Sequence, residues 1–358
     1  MIRNVLIVVA VVLSASRSVS AGEAVPFDAR ARVAEAVAIA RAHAYRTAKV
    51  DWPALEARLQ VRSASARDGT DLLPVYVALL DGLGDGHSFL QVPEEQRLAY
   101  LARHGEAFDA GLNRPSMTST FIMRRDLTTR SLALRRGRQA QLLTVPKVFG
   151  GGAGARTYAN TLFDQLAAAA PSACGYVLDL RGNVGGNVWP MLAGLSPLLG
   201  DGNLGGERNA AGTLSFYARF ESGAAIVNEG EDKGATIFAL DPGKPRLDLT
   251  RAPVALLIDD GVASSGEGVA VAFKGRAATR FFGSRTFGVA SSNEGFQLSG
   301  GENLVITTAM MTDRNGRTYP SGVAPESPVA AGAGRADDPD DAVIEAAKRW
   351  LEGRRACR

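Results

Sequence analysis

The residues best suited to chemistry sit where an apolar run gives way to a pair of serines. Pro253-Val254-Ala255-Leu256-Leu257-Ile258 is too short for a helix and is bounded by Asp259-Asp260-Gly261. It reads as a strand buried on both faces and closed by a turn. Ser264-Ser265-Gly266-Glu267 then has the spacing of a capping box, ahead of an apolar helix that ends near Lys274-Gly275. A hydroxyl held at that helix start faces free N–H groups and the positive end of the helix dipole, where a nucleophile and its oxyanion hole can be built together. The same spacing equally describes a Ser264 that does nothing but cap its helix.

A serine nucleophile needs a base, and the chain has only three histidines. His87 lies in Gly84-Asp85-Gly86-His87-Ser88, where glycines allow the backbone an unusual conformation; the alternative is a loop histidine in water. His43, within an Ala-rich helix, and His104, at the end of a polar one, read as surface or packing residues. A third element, Arg181-Gly182-Asn183-Val184-Gly185-Gly186-Asn187, joins a buried strand (175–180) to a helix (188–199). Such a loop can cradle phosphate, but this spacing fits neither the dinucleotide fingerprint nor the P-loop, and no Lys ends it. Its glycines can instead bring a bare N–H to an oxyanion.

The elements that must position these residues follow from periodicity. Helices are expected at 31–45, after the cap Asp51-Trp52-Pro53, at 71–83, 94–102, 157–170 and 340–352. Strands are expected near 118–123, 131–134, 141–148, 214–220, 236–239, 281–282, 296–298 and 304–311, with a hairpin at Asn315-Gly316. Residues 150–154, mostly glycine, read as a flexible loop, and the polar stretch 200–250 as a flap.

With 358 residues, 46% apolar and 22% charged, the chain fits one large or two modest globular domains. Residues 1–21 have a basic start, an apolar core and the small-residue site Val19-Ser20-Ala21, which reads as a secretory signal peptide. Its apolar core is too short to span a bilayer. Without Arg3 and Arg17 the balance is 38 basic to 37 acidic residues, a net +1, so no global field selects nucleic acid or an anionic membrane. Cys174 and Cys357 would be able to pair in an oxidising compartment, or Cys174 is a small core residue before a buried strand.

Four segments in order, Gly-Asp-Gly-His-Ser (84–88), Asp-Leu-Arg-Gly-Asn-Val-Gly-Gly (179–186), Ala-Ser-Ser-Gly-Glu (263–267) and Phe-Gly-Ser-Arg-Thr-Phe-Gly (282–288), resemble the C-terminal processing, or tail-specific, serine peptidases. The resemblance covers roughly residues 70 to 330 and implies an α/β core of β-β-α units, similar to the crotonase and Clp-protease fold, with a helical N-terminal region. Carried over, it makes Ser264 the nucleophile, since Ser264 stands three residues before Glu267. It makes the Ser264 N–H one oxyanion donor and Gly185, or Gly186, the second. Many members use a Lys about 25 positions after the nucleophile, where this chain has Val289. The branch that includes the nisin resistance protein and the tricorn protease takes its base from a His in the Gly-His-Ser loop, where His87 stands. Lys274 is ten residues along the helix, about 15 Å away, and Arg276, Arg280 and Arg285 are never neutral bases. Many relatives also insert a PDZ domain, for which the stretch between Leu90 and Gln141 is too short.

The expected plan is therefore a signal peptide (1–21), a helical region ending in the His87 loop (22–90), a linker or cap (91–137), a catalytic core (138–335) and a C-terminal helix (336–358). The expected function is an exported, periplasmic or secreted serine endopeptidase acting on peptides or proteins through an acyl-enzyme, with a Ser264–His87 dyad and no metal or cofactor. Glu267 and, more weakly, Asp85 are candidates for orienting the catalytic groups. The rivals are an inactive peptide-binding protein of the same fold and a crotonase-like acyl transferase, the latter at odds with export. An ordinary imidazole would place the acid limb of the pH profile at about 6 to 7.5.

Overall fold

Three aspartates begin the chain's order by capping successive helices: Asp28 for α1 (Ala29–His43), Asp51 for α2 (Trp52–Ser63) and Asp68 for α3 (Gly69–Gly82). Each accepts an N–H from the first turn, which would otherwise lack a partner. The structure is a computed structural model that describes residues 26–111, 126–221, 225–228, 234–330 and 341–358. The expected signal peptide and the strand expected near 118–123 lie outside the described residues.

After α3 come β1 (Phe89–Gln91), α4 (Glu94–His104), β2 (Thr129–Ala133), β3 (Gln139–Thr144), α5 (Gly152–Ala169) and β4 (Tyr176–Asp179). Two short helices, α6 (Val188–Gly194) and α7 (Ser196–Leu199), lead to β5 (Gly202–Asn209), β6 (Leu214–Glu221), β7 (Ala225–Asn228) and β8 (Thr236–Ala239). The chain continues with β9 (Val254–Ile258), α8 (Ser265–Phe273), β10 (Thr279–Gly283), β11 (Ser291–Gln297), β12 (Asn303–Thr312), β13 (Ser327–Pro328) and α9 (Ala342–Glu352).

Two sheets result. One has the order β13-β10-β9-β4-β3-β2 and is parallel except where β2 meets β3. Two of its parallel pairs are joined by helical crossovers, β3-α5-β4 and β9-α8-β10, while the connections from β4 to β9 and from β10 to β13 pass through the other sheet. The other is antiparallel, with the order β1-β12-β5-β6-β7-β8 and β11 also paired to β12.

Strand β9 is buried at every position, because both faces of the parallel sheet are covered. Val254, Leu256 and Ile258 face the core formed with α5, α6 and α8, while Ala255 and Leu257 face Val343, Ile344, Ala347 and Leu351 of α9. Beneath α9, Cys174 and Cys357 form a disulfide that closes a separation of 183 residues. Replacing both by Ser should leave turnover intact, since neither touches the cleft described below, but lower the melting temperature by several degrees, because such a cross-link contributes about 2–4 kcal/mol. Lost turnover at unchanged melting temperature would contradict this.

The N-terminal helices form a second core with the antiparallel sheet, in which Leu72, Leu73 and Tyr76 meet Leu90, Leu304 and Ile306. This packing seats the loop after α3, and with it His87, against the β11–β12 hairpin.

Several local expectations are corrected. The glycine run at 150–154 is not all loop, since Gly151 is the N-cap of α5 and Gly152 its first residue. The helix expected at 188–199 is two helices, broken before Pro197, which has no N–H to continue the ladder. The strand expected at 141–148 ends at Thr144, just before Val145-Pro146. Strand β5 was not expected at all, and β11 only at its C-terminal end near 296–298, the rest being Gly-rich or polar.

Candidate active site

Ser264 is one of three non-glycine residues with positive φ among the described residues, at φ 53° and ψ −122°. A conformation this rare costs of order 1–3 kcal/mol and persists only where its surroundings impose it. They do so here: the Ala263 N–H donates to the Asn183 carbonyl at 3.0 Å. The Ser264 N–H donates to the Glu267 carboxylate at 3.2 Å. Gly185 lies so close that a Cβ on it would sit 2.8 Å from the Ser264 Cβ. A Cβ on Gly186 would sit 2.0 Å from the Val148 carbonyl, and both glycines have φ near 110°, so no other residue fits at either place.

The two amides given first as oxyanion donors are both engaged. That of Ser264 points at Glu267, and that of Gly185 donates to Asn183 Oδ1 at 3.0 Å. The amides of Gly186 and Ser265 have no hydrogen-bond partner among the described residues. Ser265 N is freed by being the first residue of α8, where no intrahelical acceptor exists. The Ser265 hydroxyl donates to the Gly186 carbonyl at 2.7 Å, so it ties the glycine loop to the helix start.

His87 reaches the same cleft from the other core. Asp85 Oδ1 accepts the N–H groups of His87 and Ser88 at 2.8 and 2.7 Å, and its Oδ2 accepts the Ser88 hydroxyl. Asp85 thus shapes the loop backbone and makes no hydrogen bond to the imidazole. The Ser88 hydroxyl in turn accepts the Thr307 N–H of β12 at 3.0 Å. The ring is held from β11, where Ser291 Oγ lies 2.8 Å from His87 Nδ1, and Asn293 Nδ2 donates to the His87 carbonyl at 3.0 Å. Burial, partly offset by the charge of Asp85, pushes His87 down to about 4. No hydrogen bond joins the ring to Ser264, and such pairs often tighten only when substrate is seated.

Glu267 is fully buried. Besides the Ser264 amide it accepts the Thr286 hydroxyl at 2.5 Å and the N–H groups of Gly288 and Val289 at 2.9 and 2.7 Å. Burial pushes its carboxyl up, against the pull of these donors. Val289 is itself buried, an apolar side chain in the place of the absent Lys. Lys274 is bound to Glu326 at 2.6 Å, and His43 and His104 lie exposed at the surface, stacked on Phe296 and Tyr100.

His87, Ser264, Gly186 and Ser291 all line one cavity of about 1160 Å³, with Lys147 and Trp189 also on its wall. Ser291, Asn293 and Thr286 escaped the sequence reading. The only signal for them was their position just around the missing Lys.

A hydroxyl on a strained turn at a helix start, an imidazole and two amides without partners among the described residues line or border this cleft within a two-sheet fold, the set of groups that a serine-type peptidase uses. The chain belongs to peptidase family S41, whose profile matches residues 147–329. It is 28% identical over 272 residues to the nisin-resistance protein of Lactococcus lactis subsp. lactis, across 75% of this chain and 73% of that one. The fold superposes on a lipoprotein from Streptococcus agalactiae with a TM-score of 0.64 at 19% identity, covering 92% and 98% of the two chains. It also superposes on a photosystem II D1 C-terminal processing protease with a TM-score of 0.54 at 17% identity, covering 92% and 99%. No helix among the described residues is long and apolar enough to cross a membrane.

Proposed function

We propose that this peptidase is exported and cleaves peptide bonds through an acyl-enzyme, with Ser264 as nucleophile and His87 as its base. The observation that carries the reading is the strained Ser264 turn facing the same cavity as an imidazole that burial keeps neutral. In this reading His87 Nε2 takes the Ser264 proton as Oγ attacks the peptide carbonyl. The oxyanion is held by the N–H groups of Gly186 and Ser265, rather than those of Ser264 and Gly185. His87 then passes the proton to the leaving amine, and water repeats the cycle to release the acid. The names of the relatives, a nisin-resistance protein and a lipoprotein, fit a peptide substrate met outside the cytoplasm.

A fluorophosphonate probe should label the mature protein at Ser264, and incubation with a peptide library should yield internal cleavages. An unlabelled, inactive protein that still binds peptides would mean a binding protein of the same fold. Recovery of intact Met1 from periplasm or medium would contradict maturation near Ala21-Gly22.

The buried ring also moves the expected pH profile. Because the base works as neutral imidazole, kcat/KM should stay high down through pH 6 and fall only as pH drops through about 4. The folded His87 value lies below the ordinary 6.5, so the unfolded chain takes up a proton first as pH falls. Stability contributed by the neutral ring is therefore present above about 6.5 and is lost as pH falls toward 4. An acid limb at 6 to 7.5 would show a solvated ring.

A further inference from the structure

We infer that Ser291 is the positioning residue for the base: its hydroxyl accepts the His87 Nδ1–H and so fixes the tautomer whose Nε2 lone pair faces the cleft. The inference rests on the Ser264–His87 reading for its catalytic consequence, though the hydrogen bond itself stands on geometry alone.

A histidine base in a serine enzyme needs its second nitrogen protonated and held, a task often given to a buried carboxylate. Here the acidic groups around the site are occupied elsewhere: Asp85 on backbone N–H groups and Ser88, Glu267 on Ser264, Thr286, Gly288 and Val289, and Glu207, on the wall of the same cavity, on the Ser292 hydroxyl. The atom that meets Nδ1 is Ser291 Oγ at 2.8 Å, and the serine is itself buried, with 4% of its surface exposed. The other ring nitrogen has no partner among the described residues.

Strand β11 is built to deliver this contact. The Ser291 N–H donates to the Val289 carbonyl at 2.7 Å, and the Ala290 carbonyl accepts the Met311 N–H of β12 at 3.0 Å, so the backbone on both sides of Ser291 is fixed. Two residues on, Asn293 grips the His87 carbonyl, and its own Oδ1 accepts the Thr307 hydroxyl at 2.9 Å. A bulge separates Ser292 from Asn293, a device that re-aims side chains beside active sites. One strand therefore holds both the ring and the main chain of the same histidine. A neutral hydroxyl in this place stabilises the developing imidazolium less than a carboxylate would, but it adds no charge to keep the resting ring protonated.

The test uses the full mature chain with 15N-labelled histidine, since only three histidines must be assigned. In the wild type His87 should populate the Nδ1–H tautomer. Ser291→Ala should shift it toward a mixture with Nε2–H and lower kcat about ten- to a hundredfold with KM little changed, as one hydrogen bond and a tautomer preference are lost. Ser291→Thr, which keeps the hydroxyl, should restore both readouts in large part. An Nε2–H tautomer in the wild type, or Ser291→Ala with unaltered tautomer and kcat, would overturn the assignment. Should His87→Ala keep its turnover, the dyad reading fails on its own, and the tautomer measurement still decides whether Ser291 holds the ring.

Discussion

Ser264→Ala and His87→Ala are each expected to lower turnover by roughly three to six orders of magnitude, and the double variant to be scarcely worse than either. A serine hydroxyl is a weak nucleophile at neutral pH, so removing the base removes the attack, and removing the hydroxyl leaves the base with nothing to do. Ser265→Ala should retain most activity, because its hydroxyl proton is already given to the Gly186 carbonyl. The alternative base is Lys147, which lines the same cavity with its ammonium 5.7 Å from the centre of the Phe149 ring. It follows β3 rather than the nucleophile, and Val289, the position from which many relatives supply a Lys, is apolar. Steady-state kinetics across pH separates the two. A rate that rises only above pH 8 and vanishes in Lys147→Ala, with near-normal turnover in His87→Ala, would hand the role of base to Lys147.

The sequence revealed the parts of the site that depend on short-range pattern. The capping spacing at Ser264–Glu267 marked the helix start, the apolar run at 253–258 marked the central strand, the glycines at 84 and 86 marked a loop in left-handed conformations that favour glycine, and those at 185–186 one in conformations barred to other residues. What stayed hidden depends on partners far apart in the chain. Ser291 meets His87 across 204 positions, and nothing local distinguishes it from Ser292, whose hydroxyl serves Glu207 instead. The same limit explains the candidate oxyanion amides: sequence shows which glycines can approach, but only tertiary contacts show that Gly185 N is already taken by Asn183, while Gly186 N has no partner among the described residues. Most of strand β11 was missed because residues 291–295 are polar or glycine and borrow their order from the ten residues of β12. The disulfide was equally open until the fold brought residues 174 and 357 under α9.

Glu267→Ala should cost both stability and activity, and Glu267→Gln should show that the cause is the carboxylate rather than the space it fills. The side chain is fully buried and accepts from Ser264 N, Thr286 Oγ1, Gly288 N and Val289 N. Removing it strands these donors, each at about 1–3 kcal/mol if left unpaired, so the Ala variant should lose several kcal/mol and melt several degrees lower or more. Gln keeps the volume and one acceptor oxygen but turns an N–H₂ toward N–H groups, so it should fall between the wild type and Ala. The effect on activity follows from where the donors lie. From the Ser264 amide the chain of bonds runs through Glu267 to the Val289 amide; the Val289 carbonyl accepts the Ser291 N–H at 2.7 Å, and Ser291 Oγ meets His87 at 2.8 Å. One carboxylate therefore sets the spacing between the strained Ser264 turn and the strand that holds His87, although it touches neither the Ser264 hydroxyl nor the imidazole. Measured well below its melting temperature, Glu267→Gln should react more slowly with fluorophosphonate than the wild type, because the Ser264 turn is free to relax from its positive φ. A Gln variant with wild-type melting and labelling rate would reduce Glu267 to a helix cap and leave the spacing of Ser264 and His87 to the surrounding strands alone.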